Sequence, residues 1–194
     1  RSGVDAMILA SAVPSGLTGK LVDLGSGAGA AGLAVASRCP SASIVLAEND
    51  PVMVAFAGKT LKHESNQELA RRVSLIDCDV TLTGKRRGAS GLDDNGFDFA
   101  IMNPPFNLAT DRQTPDPLKA GAHVMHDGLF EAWLRTAAAI VKPGGGMALI
   151  ARPQSVESIL AALKGRFGAL KIVPVHPRET EAAIRIVVTG IRGS

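Results

Sequence analysis

Short β-branched runs alternate along this chain with Ala-rich segments of helical length, and this alternation limits the fold more than any other feature. Strand, helix and strand in repetition bury their apolar faces best when the strands lie parallel in one sheet and helices cover both sides. Strands are expected over 20–24, 43–47, 73–76, 97–102, 147–151, 170–175 and 184–189, and helices over 5–12, 30–38, 51–61, 128–141 and 155–166. Asp5 and Ser155 stand at N-cap positions, Pro51 where a first helical turn tolerates proline, and Pro143 with Gly144 to Gly146 where a helix must stop. The stretch His176 to Ala183 is too short for the crossover helix of a parallel connection, so the last two strands should be antiparallel. The expected fold is one α/β domain over residues 1–194: a doubly wound seven-stranded sheet, mostly parallel, with the last strand antiparallel. The connections 81–96 and 107–127 read as long loops, a length that in a compact domain goes with function or mobility.

Composition removes several function classes. With 194 residues, 46% hydrophobic and 20% charged, the chain can fill one core, and it has no apolar run of the ~18 residues that a membrane span needs. Cys39 and Cys78 are too few for a disulfide framework and share no metal-ligand spacing with His63, His123, His126 or His176. No metal site and no membrane partner are expected, the cysteines are expected in the core, and a reducing cytoplasm is the expected location. A net charge of +3 and a pI near 9.1 permit an anionic partner. Six Phe, one Trp and no Tyr cannot build the aromatic sheet on which RNA-recognition folds stack bases. Any nucleic acid would be held by charge and one or two rings.

After the first strand comes Asp23-Leu24-Gly25-Ser26-Gly27-Ala28-Gly29, a glycine turn that lets a ligand lie against the backbone at a helix N-terminus. Gly25-x-Gly27-x-x-Ala30 also satisfies a loose dinucleotide fingerprint, and Glu48 lies where a carboxylate takes ribose hydroxyls in either case. Asp23 separates the two. A carboxylate beside the turn repels a pyrophosphate and attracts the ammonium and sulfonium of S-adenosylmethionine. Asp79, with Asp77 as nearer rival, stands after the third strand where a carboxylate can accept from an adenine amine. Asp23, Gly25, Ser26, Gly27, Gly29, Glu48 with its neighbour Asn49, and Asp79 with its neighbour Val80 are the candidate cofactor residues. Singly, such acids are often just solvated strand ends. Together they end three successive strands, at the edge where ligands of such sheets bind.

Asn103-Pro104-Pro105-Phe106 closes the fourth strand. As structure alone it is a rigid strand-terminating turn. As chemistry it offers two fixed acceptors, the Pro104 carbonyl and the Asn103 side chain, beside the flat face of Phe106. Two acceptors can hold both hydrogens of an exocyclic amine while its lone pair turns toward a methyl group, with the ring stacked on Phe106. These four residues are the candidate catalytic set, and Asn103 also borders the cofactor.

The sheet plan resembles the Rossmann-like class I methyltransferase architecture, and the glycine loop with Asn-Pro-Pro-Phe resembles amino-methyltransferases acting on adenine N6, guanine N2 or protein glutamine. Arg1-Ser2-Gly3-Val4-Asp5-Ala6, Thr114-Pro115-Asp116-Pro117, Ala122-His123 and His176-Pro177-Arg178-Glu179 are similar to the bacterial tRNA1(Val) (adenine-37-N6)-methyltransferase family. That resemblance implies N6 methylation of an adenine in a tRNA loop, with guanine N2 or protein glutamine as alternatives. It also implies a further N-terminal element ahead of Arg1, and the Lys85 to Asn95 stretch is longer and more charged than the family leads one to expect. A nicotinamide dehydrogenase and a non-catalytic RNA-binding or cofactor-binding module are the readings of another class. Lys85, Arg86, Arg87, Arg152, His176 and Arg178 are the candidate RNA contacts, although exposed basic residues are commonly only solvated. A monomer or weak homodimer is expected.

Overall fold

The computed structural model describes residues 3–105 and 117–194, with 117–127 described by backbone alone. Its elements run α1 (Val4–Ser11), β1 (Gly19–Leu24), α2 (Ala30–Arg38), β2 (Ala42–Glu48), α3 (Pro51–Lys62), α4 (Gln67–Ala70), β3 (Val73–Asp77), α5 (Gly84–Ala89), β4 (Phe97–Met102), α6 (Pro117–Ile140), β5 (Val141–Ala151), α7 (Val156–Leu163), β6 (Phe167–Val175) and β7 (Arg185–Arg192). The strands form one seven-stranded sheet in the order β3-β2-β1-β4-β5-β7-β6. Pairs from β3 to β5 are parallel, and β7 is inserted antiparallel between β5 and β6. The short connection before β7 dictates this return.

Alternation along β1 shows how sequence becomes position. Val22 and Leu24 enter the core shared with Phe130, Trp133 and Leu134 of α6, whereas Leu21 enters the opposite core with Val35 and Ala36 of α2. With a period of two, Asp23 faces the same side as Leu21, directly toward the first turn of α2. The two cores clamp the sheet, so the strand ends are held from both faces.

Several local expectations need correction. Asp5 does not cap α1; Gly3 occupies that position, and Asp5 instead accepts from Arg185 Nε at 2.9 Å. Ser155 precedes α7 but its side chain makes no capping bond. The 81–96 connection contains α5, and α6 begins at Pro117, so residues 117–127 are helical rather than loop. The glycines at 144–146 do not terminate α6; it ends at Ile140, and Val141 already pairs with Phe97. Cys39 and Cys78 are buried, and burial pushes the Cys78 thiol up, as expected of core residues.

Candidate functional site

A cleft of ≈ 580 Å³ opens at the carboxyl ends of β1 and β4, and Asp23, Gly25, Ser26, Gly27 and Asn103 line it. The glycine turn is shaped by packing on one side and left open on another. Gly25 has φ +64°, and a Cβ there would lie 2.2 Å from the Trp133 ring; Gly27 has φ +55° and would meet nothing within 4 Å. Gly25 thus seats the turn on α6, while the bare backbone at Gly27 is free for a ligand to approach.

Asp23 is 2% exposed, and its Oδ2 accepts the Gly32 N–H at 2.8 Å, satisfying a donor of the first turn of α2. Burial pushes its carboxyl up to about 7, with Gly32 pulling it down and the neighbouring Glu48 charge adding to the rise. An added cation in the cleft would favour its ionised form. Glu48 is folded into the same frame. One oxygen accepts the Gly27 N–H at 2.8 Å, and the other accepts the Asn49 and Asp50 N–H groups, each at 2.9 Å. Of the roughly four acceptor positions on a carboxylate, one is left for a hydroxyl.

Among the described residues, two buried oxygens of residues that line the cleft have no hydrogen-bond partner: the Ser26 hydroxyl and Asn103 Oδ1. A buried acceptor without a donor costs about 1–3 kcal/mol, and a ligand N–H would relieve it. This is the test of fit for the expected chemistry. A buried carboxylate facing bare glycine backbone suits a cationic donor, and an unfilled amide oxygen beside it suits an amine.

The remaining candidates divide. Gly29, at φ +89°, packs against Leu46 behind the turn. Asn49 is exposed. Asp79 lies two residues past β3, where its Oδ1 accepts from the Thr81 N–H at 2.8 Å and hydroxyl at 2.7 Å. The Val80 side chain is in the core, leaving only its backbone for contact. Pro104 is buried and Pro105 exposed. Phe106, residues 107–116 and the Arg1-Ser2 start lie outside the described residues.

The basic run does not act as one patch. Lys85 and Arg86 are exposed, but Arg87 is 6% exposed, pairs with Asp94 and donates to the Leu92 carbonyl at 3.3 Å, so its guanidinium braces the connection from within. Arg152 follows β5, next to β4, whereas His176 and Arg178 follow β6 and are separated from β4 by β5 and β7. Arg178 pairs with Glu181 at 2.7 Å, and His176 Nδ1 lies 2.7 Å from the Glu181 carbonyl. Met53 and Phe56 of α3, Ala6 of α1 and its N-cap Gly3 also line the cleft, where sequence reading did not place them. The signal was present, because Pro51 to Ala57 is apolar almost all round, more than a helix covering one face requires. Among the described residues no helix is long and apolar enough to cross a membrane, and no group of three His, Cys, Asp or Glu could hold a metal.

The family model of the methyltransferase small domain matches residues 3–177. Ribosomal RNA small subunit methyltransferase C of Haemophilus influenzae (strain PittEE) is 32% identical over 104 residues, 54% of this chain and 27% of that protein. Ribosomal RNA large subunit methyltransferase G of Klebsiella pneumoniae (strain 342) is 28% identical over 109 residues, 55% of this chain and 27% of that protein. These matches take in about a quarter of the length of the curated relatives. A solved structure from Agrobacterium tumefaciens, described as a predicted O-methyltransferase, is 43% identical with a TM-score of 0.85, over 98% of this chain and 82% of that one. TrmN from Thermus thermophilus, at 20% identity, shares the fold with a TM-score of 0.65 over 96% of this chain and 47% of that one.

Proposed function

The chain belongs to the methyltransferase small domain family, and from that premise we propose that it transfers a methyl group from S-adenosylmethionine to an exocyclic amine, N6 of an adenine in a single-stranded tRNA loop. The observation that carries this reading is the Asn103 side-chain oxygen, buried and without a partner among the described residues, on a residue that lines the cleft together with Asp23 and the bare Gly27 backbone. Support for an RNA acceptor comes from the ribosomal RNA methyltransferases among the relatives. When bound, the donor supplies a methyl group on a positively charged sulfur. Asp23 attracts the ammonium end of that donor, and Glu48 has one acceptor position for a ribose hydroxyl. Asn103 and the Pro104 carbonyl accept the two amine hydrogens, which turns the nitrogen lone pair out of the ring plane. Phe106 carries the face of the target ring. The amine proton passes to solvent after transfer, so no strongly basic side chain is required.

A paired base is out of reach of such a site, because its amine is engaged and its face is stacked. The test is labelled donor with four acceptors: a tRNA anticodon stem-loop, its fully paired counterpart, a guanine-substituted loop, and a glutamine-bearing protein extract. Label is expected in the adenine-bearing loop and, after digestion, in N6-methyladenosine. Label in the protein extract alone, in the duplex as readily as the loop, or on a ribose oxygen overturns the reading. The last outcome would match the description of the Agrobacterium relative.

A further inference from the structure

The outer face of α3 carries a feature that methyl transfer itself does not use. Val52, Met53 and Phe56 are exposed, whereas Phe97, Phe99, Phe130, Trp133 and Phe167 are buried, so among the described residues Phe56 is the one Phe or Trp ring open to solvent. Pro51, Val52, Ala55, Phe56 and Lys59 enclose a shallow recess of ≈ 340 Å³. Phe56 also lines the cleft that holds Asp23 and Asn103, so recess and reaction site are continuous through one ring.

The charge beside that ring is positive. Lys59 Nζ lies 5.7 Å from the Phe56 ring centroid, and Lys62 follows in the last turn of α3. Helical spacing sets Val52, Phe56 and Lys59 along one face of α3. Two of the nearby acids are already engaged: Asp50 Oδ1 accepts the Val52 and Met53 N–H groups at 2.8 and 3.1 Å, and Glu68 pairs with Arg71 at 3.0 Å, whereas Glu64 lies exposed beyond the end of α3. An aromatic face with a cation a few ångströms away matches a nucleobase joined to its phosphate, and single-strand binders use that combination.

We propose, resting on the reading of the cleft as an RNA methylation site, that Phe56 and Lys59 form a second nucleotide subsite. A base flanking the target in single-stranded RNA stacks on Phe56, and Lys59 takes its phosphate. The thin aromatic inventory makes this ring the principal stacking surface outside the target pocket.

The test uses the full chain and single-stranded RNA oligonucleotides with an abasic site placed in turn at each position flanking the target. Phe56→Ala should raise KM for RNA about tenfold, with the loss falling on KM rather than kcat, while the melting temperature stays at the wild-type value. Phe56→Trp should restore KM. One abasic position should cost the wild type about tenfold and cost Phe56→Ala nothing further. Lys59→Ala should flatten the log–log salt dependence of binding by about 0.7. An unchanged KM in Phe56→Ala, or an abasic penalty identical in both chains, overturns the subsite and leaves the proposed function standing. A wild type that methylates no RNA overturns both, and so does a peptide acceptor whose methylation depends on Phe56.

Discussion

On the β1–β2 side of the cleft the carboxylates have found partners within the chain, whereas on the β4 side a buried amide oxygen has none. Glu48 accepts three backbone N–H groups and Asp23 one; Asn103 Oδ1 accepts nothing from the described residues. The first half is held by its own hydrogen bonds, with the buried Ser26 hydroxyl and one acceptor position of Glu48 left open among the described residues. The second half carries an unmet hydrogen bond that a substrate amine would satisfy. Removing a group from one half should therefore read out differently from removing a group in the other.

The largest effect is expected at Asn103. Asn103→Ala should lower turnover by ~10²–10³, the scale of losing one preorganised partner of a transition state, and leave affinity for S-adenosylhomocysteine within about twofold. Near-normal methylation by this variant would make the tetrad a structural turn. The glycine turn provides the next contrast. Gly25→Ala drives a methyl into Trp133 at a left-handed φ and should cost about 2–4 kcal/mol of stability. Gly27→Ala meets only the strain of φ, about 1–2 kcal/mol, so its main loss should be donor affinity, measured by calorimetry beside a denaturant melt.

Asp23 gives a smaller, pH-dependent effect. Its carboxyl is raised from 3.8 to about 7 by burial, so between those values the folded chain holds a proton that the unfolded chain has lost. Stability attached to this group is full below pH ~4, falls by up to about 1.4 kcal/mol per pH unit, and is gone above pH ~7. Asp23→Asn should remove that slope, and its stability relative to wild type should improve as pH rises through the same window. Donor affinity of the wild type should rise with pH up to about 7, because the cation selects the ionised form. A flat wild-type profile would contradict the assignment. The smallest effects belong to the basic connection. Lys85→Ala or Arg86→Ala should each flatten the salt dependence of RNA binding by about 0.7 with no change in melting temperature, whereas Arg87→Ala should lower the melting temperature and leave that slope alone.

Legibility in the sequence followed the same division. The strands could be read because β-branched runs bounded by helical periods leave little choice, and the antiparallel end because His176 to Ala183 leaves no room for a crossover. The α5 helix was missed because Gly84 and Gly88 bracket a charged run with no apolar stripe to mark a buried face. The start of β5 was missed because Pro143 and three glycines read as a break, although pairing with β4 had already begun at Val141. In the site, Asp23, Gly25, Gly27 and Asn103 could be named because each is an unusual residue for its place. The bond from the Gly27 N–H to Glu48 spans 21 residues and exists only once β1 and β2 are paired. Phe56 is not legible as a surface residue, because an apolar residue in an apolar helix looks like core until the packing leaves half of it exposed.

The most direct measurement is a calorimetric titration of the chain with S-adenosylmethionine, S-adenosylhomocysteine and NAD. Asp23 beside an open glycine backbone predicts binding of the methyl donor and of its demethylated product, none of NAD, and a donor affinity weakened by about 1.5–3 kcal/mol in Asp23→Ala, the worth of a charged hydrogen bond. Binding of NAD with none of the methyl donor would contradict the account.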